Sequence, residues 1–154
     1  MTPGTRLPET LGTDQTGHTI TLQEMAGRKF ILYFYPKDNT PGCTAEACSL
    51  RDKHTELQAL GYEVIGVSTD TAASHERFIA KHELPFRLIA DTERTLIEAV
   101  GVWGEKMMYG KTVMGLIRTT LLIDEQGCVE QVFSGREIKT KEHAEQIIAV
   151  LDQK

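Results

Sequence analysis

The chain changes from strand to helix within Tyr35-Pro36-Lys37-Asp38-Asn39-Thr40-Pro41-Gly42-Cys43-Thr44-Ala45-Glu46-Ala47-Cys48. The segment before it, 30–35, is apolar on both faces, which is typical of a strand buried inside a sheet. The segment after it, 44–60, has apolar residues at helical spacing and stops before a glycine, Gly61. We therefore expect Cys43 to lie at a junction between a strand and a helix.

Cys43 stands where a thiol becomes reactive. A sulfur at a helix N-terminus faces unpaired backbone N–H groups and the positive end of the helix dipole, and both favour the thiolate form. Pro41 fixes the approach of the chain and Gly42 allows the backbone to come close, while the Thr40 hydroxyl can reach back toward the sulfur. The pattern indicates a reactive thiol that suits a small polar substrate.

A second thiol, Cys48, follows Cys43 at a spacing that can be compared with helix geometry. In one intact helix this spacing separates the Cα atoms by about 8.7 Å, whereas a disulfide needs them within about 7 Å. If both lie in one helix, the two sulfurs can bond only after its first turns unwind. Cys43 is then free to react first with another reagent, such as a peroxide, and to form a sulfenic acid that Cys48 captures. The alternative is that both cysteines are small buried apolar side chains.

The rest of the chain alternates strand and helix patterns with turn signals. Residues 14–22 predict a short N-terminal hairpin. Further strands are predicted at 62–68, 86–90, 115–123 and 128–133, and further helices at 71–83, 93–100 and 141–151. We expect one α/β domain over residues 1–154, a thioredoxin-like sandwich in which a central mixed sheet is flanked by helices and carries the N-terminal hairpin as an extension.

Composition restricts the possible classes of protein. A net charge of -5 argues against nucleic acid or an anionic membrane as the main partner. The N-terminus has no apolar segment of signal-peptide length, so a cytoplasmic protein is predicted. Three cysteines in 154 residues do not suit a secreted disulfide scaffold, and the scattered histidines do not suggest a zinc site. The thiols are better interpreted as catalytic, redox-active or buried.

The stretch resembles the peroxiredoxins, and specifically the bacterioferritin comigratory protein or peroxiredoxin Q subfamily. The family pattern Pro-x-x-x-Thr-x-x-Cys is matched by Pro36, Thr40 and Cys43, and the second cysteine of the subfamily by Cys48. Residues 66–70, 84–86, 101–106 and 115–120 are also similar to the sequences of this subfamily, so the resemblance covers nearly the whole chain. The subfamily commonly has Phe at the positions of Leu50 and Leu121, which are differences in packing.

The resemblance implies a peroxidase that reduces hydrogen peroxide and organic hydroperoxides without a metal or other cofactor. Cys43 would be the peroxidatic cysteine and Cys48 the resolving one, with thioredoxin or a similar dithiol as the reductant. Thr40 and Arg118 would complete the site, and Pro36, Pro41 and Gly42 would line its pocket. A monomer or weak homodimer is expected.

Several of these residues can also be interpreted without a role in the reaction. An isolated Arg118 on a strand is usually a surface charge. Glu46 matches an acid that is usual in the family, but it can equally be a favourable charge near a helix N-terminus. Cys128 is more readily a spare buried thiol than a third redox partner. The apolar residues Trp103, Met107, Met108 and Tyr109 suit either the core or a surface for a partner.

Two other functions stay open at this stage. A protein disulfide oxidoreductase would normally carry Cys-x-x-Cys at such a junction, and the chain lacks that motif. A redox sensor or holdase would oxidise stoichiometrically and pass the signal to a partner.

Overall fold

The structure is a computed structural model and describes residues 1–153. Its strands are Thr10–Thr13 (β1), Thr19–Thr21 (β2), Lys29–Phe34 (β3), Tyr62–Ser68 (β4), Arg87–Ala90 (β5), Trp103–Met108 (β6), Lys111–Leu116 (β7), Thr119–Ile123 (β8) and Val129–Ser134 (β9). Its α-helices are Pro41–Asp52 (α1), His54–Ala59 (α2), Ala72–His82 (α3), Thr95–Val100 (α4) and His143–Leu151 (α5), and short 3₁₀ turns span Gly135–Glu137 and Thr140–Glu142.

A five-stranded sheet lies at the centre, in the order β5-β4-β3-β8-β9. Strands β3, β4 and β5 run parallel, because the chain returns through helices between them, whereas β8 and β9 pair antiparallel through a tight hairpin. The predicted mixed sheet, the βαβ unit and the N-terminal hairpin of β1 and β2 are confirmed.

Alternate residues of β3 point to opposite faces of the sheet, and each face has its own apolar cluster. Phe30, Leu32 and Phe34 pack with side chains of β1, β2 and α4. Ile31 and Tyr33 pack with side chains of α1, α2, α3 and α5. The layers form the predicted sandwich, and they place α1 and α5 side by side over the sheet.

The helix predicted at 44–60 is two helices. The first, α1, begins earlier than predicted, at Pro41, and the helical path breaks at Lys53, whose backbone angles are φ -106° and ψ 11°. Leu50 and Leu57 both remain buried. Because their spacing of two helical turns suits a broken helix as well as a straight one, the apolar pattern could not show the break.

The strand predicted at 115–123 is also interrupted. Strand β7 ends at Leu116, β8 begins at Thr119, and Arg118 lies between them. An unpredicted strand, β6, pairs with β7 through a two-residue turn in which Tyr109 and Gly110 have φ angles of 53° and 77°. A hairpin turn of this left-handed kind usually carries Asn or Asp before its glycine, so the Tyr109-Gly110 pair gave no clear signal.

Candidate active site

The loop that carries the chain from β3 to α1 is fixed by the buried carboxylate of Asp38. Its Oδ1 accepts the Tyr35 hydroxyl at 2.6 Å, and its Oδ2 accepts from Ser74 Oγ and His75 Nδ1, both at 2.8 Å. Burial alone would raise the pKa of Asp38, but the hydrogen bonds from His75 and Tyr35 outweigh it and lower that pKa. The loop is therefore held from β3 and α3 before the helix begins.

Asp38, Asp70 and His75 bring their potential ligand atoms within 4.8 Å of one another, an arrangement that could hold a metal ion. These atoms are already engaged in hydrogen bonds. Asp70 Oδ2 accepts the backbone N–H of Asp38 at 2.9 Å and the Ser68 hydroxyl at 2.7 Å, and His75 Nε2 lies 3.0 Å from the Ile89 carbonyl oxygen. The cluster thus serves as an anchor for the loop.

Cys43 lies in the first turn of α1 and is only 1% exposed. Thr40 is the N-cap residue with extended backbone angles, and Pro41 occupies the first helical position, where its missing N–H is not needed. The Thr40 hydroxyl donates to the Lys37 carbonyl oxygen at 2.9 Å. Its hydrogen is thus used within the loop, while the oxygen keeps lone pairs that can accept from a substrate.

Arg118 donates hydrogen bonds to both the Cys43 sulfur and the Glu46 carboxylate. Its Nη2 donates to Cys43 Sγ at 3.2 Å, and its Nη1 donates to Glu46 Oε1 at 2.5 Å. Burial would lower the pKa of Arg118, but the neighbouring Glu46 and Cys43 outweigh it and raise that pKa. A permanently charged guanidinium is therefore held against the sulfur.

Glu46 is fully buried and accepts a hydrogen bond from Arg118. Burial raises its pKa to about 7, and the attraction to Arg118 only partly opposes this. Its second oxygen, Oε2, has no hydrogen-bond partner among residues 1–153. Glu46 therefore changes charge near neutral pH in direct contact with the cation that faces Cys43.

The remaining predicted site residues differ in their exposure. Pro36 is half-buried, Pro41 is exposed, and a Cβ added to Gly42 would stand 3.4 Å from Arg118 Nη2. Cys48 is a free, half-buried thiol on the same unbroken helix as Cys43. The geometry of one intact helix, which keeps the two sulfurs apart, therefore applies to the reduced protein.

Three residues of this region, Ser74, His75 and His143, carried no signal in the sequence. Asp38 belongs to the quoted stretch, but its partners Ser74 and His75 come far later in the chain. His143 is completely buried at the start of α5, where it faces Glu46. Only the packing of α3 and α5 against the sheet brings these side chains together, so no local pattern could find them.

A cavity of about 960 Å³ lies elsewhere, at the edge of the sheet where β3, β4 and β5 begin, and its lining includes Lys29, Tyr62 and Arg87. Cys43 follows the opposite end of β3. This cavity does not contain the thiol. The candidate active site is therefore identified by its chemical groups and not by the volume of a cavity.

The family model described as the AhpC/TSA family matches residues 3–132. The chain belongs to the AhpC/TSA family. Among curated relatives of this family, peroxiredoxin Bcp of Bacillus subtilis is 44% identical over 135 residues, which cover 88% of this chain and 85% of the relative. Peroxiredoxin Bcp of Escherichia coli is 42% identical over the same shares. The relatives confirm the resemblance to the bacterioferritin comigratory proteins.

Solved structures of AhpC/TSA proteins agree with this assignment. Peroxiredoxin Q of Xanthomonas campestris superposes with a TM-score of 0.83 at 38% identity, over 92% of this chain and 88% of that one. The bacterioferritin comigratory protein of X. campestris, solved in a study of its alkyl peroxide reduction activity, gives a TM-score of 0.87 at 35% identity and covers 99% and 98%. The predicted thioredoxin-like fold is thus confirmed.

Peroxiredoxins are thiol-dependent peroxidases, so this AhpC/TSA protein is an oxidoreductase of that class. Within residues 1–153, no helix has both the length and the apolar character needed to cross a bilayer.

Proposed function

We propose that this peroxiredoxin reduces hydrogen peroxide and organic hydroperoxides through a Cys43 sulfenic acid that Cys48 resolves as an intramolecular disulfide. The observation that supports this most directly is the 3.2 Å contact between Arg118 Nη2 and Cys43 Sγ at the N-terminus of α1. The guanidinium and the helix N-terminus both favour negative charge at this position. They stabilise the attacking thiolate and the charge that develops on the leaving oxygen.

The first step breaks the O–O bond of the peroxide. The Cys43 thiolate attacks one oxygen, a sulfenic acid forms, and the other oxygen leaves as an alkoxide or hydroxide that takes up a proton to become alcohol or water. The Thr40 oxygen, whose own hydrogen is donated to Lys37, is available to accept the O–H of the attacked peroxide. Thr40 and Arg118 would thus orient the peroxide from two sides.

The second step requires α1 to open. Cys43 and Cys48 lie on one continuous helix, and Cys48 attacks the sulfenic sulfur only after the first turns unwind, which releases water and leaves a disulfide. We propose that thioredoxin or a similar dithiol then reduces this disulfide in the cytoplasm. Hydrogen exchange tests the step, because the amides of 44–50 should lose protection in the oxidised form. Equal protection in both forms would exclude this route.

A coupled assay with thioredoxin, thioredoxin reductase and NADPH tests the peroxidase cycle. Cys43→Ser should abolish turnover of hydrogen peroxide and of an alkyl hydroperoxide, whereas Cys128→Ser serves as a matched control and should turn over normally. Cys48→Ser should react once with peroxide at the normal rate and then fail to recycle with thioredoxin. Rapid turnover by Cys43→Ser would disprove the assignment, and normal cycling by Cys48→Ser would show that another thiol resolves. A protein-disulfide substrate, run in parallel, separates peroxidase from oxidoreductase activity.

A further inference from the structure

Glu46 on α1 and His143 on α5 face each other under the candidate active site. Both are fully buried, and Glu46 Oε2 lies 3.7 Å from His143 Nε2. Glu46 Oε1 is bound by Arg118, but Oε2 has no hydrogen-bond partner among the described residues 1–153. A buried carboxylate oxygen without a partner is unfavourable, which favours a proton on Oε2, and His143 Nε2 is the basic nitrogen that faces this oxygen.

The hydrogen bonds around His143 determine which ring nitrogen carries its proton. Gln146 Nε2 donates to the Glu137 carbonyl oxygen at 2.7 Å, which fixes the side-chain amide so that Oε1 faces the ring. Gln146 Oε1 can only accept, so His143 Nδ1, at 3.0 Å, is the protonated nitrogen. His143 Nε2 is then an acceptor and takes the Thr120 hydroxyl at 2.7 Å. The ring is neutral and offers its basic nitrogen on the side of Glu46.

Burial is the main reason that the pKa of His143 is lowered, and the positive Arg118 contributes in the same direction. Other charged or titratable groups also act on this pair. Arg118 and Cys43 approach from the side of the thiol, and Tyr33 on β3, whose own pKa burial raises, senses the charge of Glu46. Among these groups, only Arg118 is a permanent cation.

The charge of Glu46 decides what Arg118 can do for Cys43. When Glu46 is ionised, the guanidinium is shared between two anions, the carboxylate and the thiolate. When Glu46 is protonated, the full positive charge is available to the thiolate and to the leaving oxygen. A proton can pass from Glu46 Oε2 to His143 Nε2 only when the Thr120 hydroxyl turns its hydrogen away from Nε2. This transfer leaves the net charge of the pair unchanged.

We propose that His143 is a positioning residue of the peroxidase reaction, which holds one buried proton jointly with Glu46 and thereby sets how much of the Arg118 charge reaches Cys43. The inference rests on the proposed function, in which Cys43 is the reacting thiol. Loss of the shared proton at high pH weakens the support for the thiolate, so the rate constant for peroxide falls above neutral pH. His143 extends the reactive range upward because it gives the proton of the pair a second site.

The pH dependence of single-turnover peroxide consumption by the reduced protein tests this proposal. His143→Asn can keep the bond to Gln146 but removes the group that faces Glu46. The alkaline fall in its rate constant should begin about half to one pH unit lower than in the wild type, since the proton that Glu46 holds no longer has a second site on the imidazole. His143→Gln restores an acceptor near Thr120 but cannot take the proton, so it should show the same shift as His143→Asn. Glu46→Gln should show no fall of this origin.

Controls separate failure of the inference from failure of the proposed function. His54→Asn, at a half-buried histidine beside Phe86, should keep the wild-type profile. If Cys43→Ser still consumes peroxide, the proposed function is wrong. If Cys43→Ser is inactive but His143→Asn keeps the wild-type profile, the inference alone is overturned.

A spectroscopic measurement covers the case in which the His143 variants fold poorly. Nitrogen-15 spectra of the imidazole rings in the reduced wild-type protein should show His143 as the neutral Nδ1–H form at alkaline pH. The Nε2 signal should shift as the pH falls through the range where Glu46 gains its proton, and this shift should vanish in Glu46→Gln. An Nε2–H form, or a shift that is the same in Glu46→Gln, would refute the shared proton.

Discussion

At the scale of single residues, the site is a short chain of charges. Arg118 links Cys43 to Glu46 through two hydrogen bonds. Little water reaches them, because the Arg118 side chain is 18% exposed and the Glu46 side chain is 0% exposed. A charge in such a place acts strongly on its neighbours because little solvent screens it. Changes at Arg118 and Glu46 therefore have different, measurable consequences.

Replacing Arg118 by Lys should lower the rate constant for peroxide about 100-fold, the usual effect of losing one preorganised donor to a developing charge. A lysine has one charged nitrogen and cannot donate to Cys43 and Glu46 in the same fixed geometry. Stopped-flow or competition measurements of the first turnover would give the rate. Arg87→Lys is the matched control, because Arg87 also bridges two carboxylates, Glu24 and Glu63, and should leave the rate unchanged. A normal rate in Arg118→Lys would contradict the role of the guanidinium.

Replacing Glu46 by Gln should make stability less dependent on pH. The pKa of Glu46 is raised from 4.5 to about 7 in the folded protein, so its contribution to stability is fully present below pH 4.5 and is lost as pH rises to about 7. At about 1.4 kcal/mol per pH unit, the loss amounts to about 3 kcal/mol. Glu46→Gln should therefore gain about that much, relative to the wild type, between about pH 4.5 and about pH 8.

Urea unfolding of the reduced proteins at the two pH values measures this difference, and other titrating groups cancel when the variant is compared with the wild type. Glu93→Gln, at an exposed carboxylate, is the control. A constant difference between Glu46→Gln and the wild type at both pH values would show that the carboxyl keeps an ordinary affinity for its proton.

At the scale of elements, α1 carries two conflicting demands. Its first turn holds Cys43 against Arg118, yet in the proposed mechanism the same turns open before Cys48 reaches the sulfenic acid. Helix α5 opposes opening, because Ser49 on α1 accepts the backbone N–H of Ala144 at 3.0 Å and lies 3.5 Å from Glu145 Oε2. We therefore expect the contact between the two helices to contribute to the barrier of the proposed resolving step.

Replacing Ser49 by Ala should speed formation of the disulfide after a peroxide pulse. Loss of one hydrogen bond of about 1 kcal/mol predicts a rate about five times higher, with little change in the first reaction of Cys43. Rapid alkylation followed by mass spectrometry would follow the disulfide. Ser134→Ala, at an exposed serine that caps a 3₁₀ turn, should not change the rate. An unchanged rate in Ser49→Ala would place the barrier elsewhere.

At the scale of the whole molecule, stability depends on two apolar clusters on opposite faces of one sheet. The β6–β7 hairpin contributes little to either cluster, since its Met107, Met108, Tyr109 and Met114 are exposed. Of the apolar residues considered from the sequence, Trp103 packs at the edge of one cluster, whereas Met107, Met108 and Tyr109 are exposed. A surface for a partner stays a prediction for these three.

Two methionines allow a matched comparison of an apolar cluster and the β6–β7 hairpin. Met25 is 2% exposed and Met114 is 58% exposed. Met25→Ala should lower the free energy of unfolding by about 2–5 kcal/mol because it leaves a cavity, whereas Met114→Ala should change it by less than about 0.5 kcal/mol. Denaturant unfolding of the reduced protein measures both values. Equal values would contradict the assignment of Met25 to the core.

The sequence by itself determined the features that are encoded within a few residues. The apolar segment before Pro36, the Pro41-Gly42 start and the helical spacing after Cys43 predicted the junction, and alternation and turn residues predicted the βαβ unit and the last hairpin. The motif Pro36, Thr40 and Cys43 also identified the family. Local periodicity cannot show the break at Lys53 or the Tyr109-Gly110 turn, because neither changes the apolar pattern.

Only the tertiary structure decided the electrostatics of the site. The burial of Glu46, its contact with Arg118 and its approach to His143 join α1, the segment before β8 and α5, which are distant along the chain. Whether a carboxylate is a surface charge or a buried group whose pKa lies near 7 depends on what packs over it. The sequence could place a reactive thiol at a helix N-terminus, but the charges that govern it are assembled by packing.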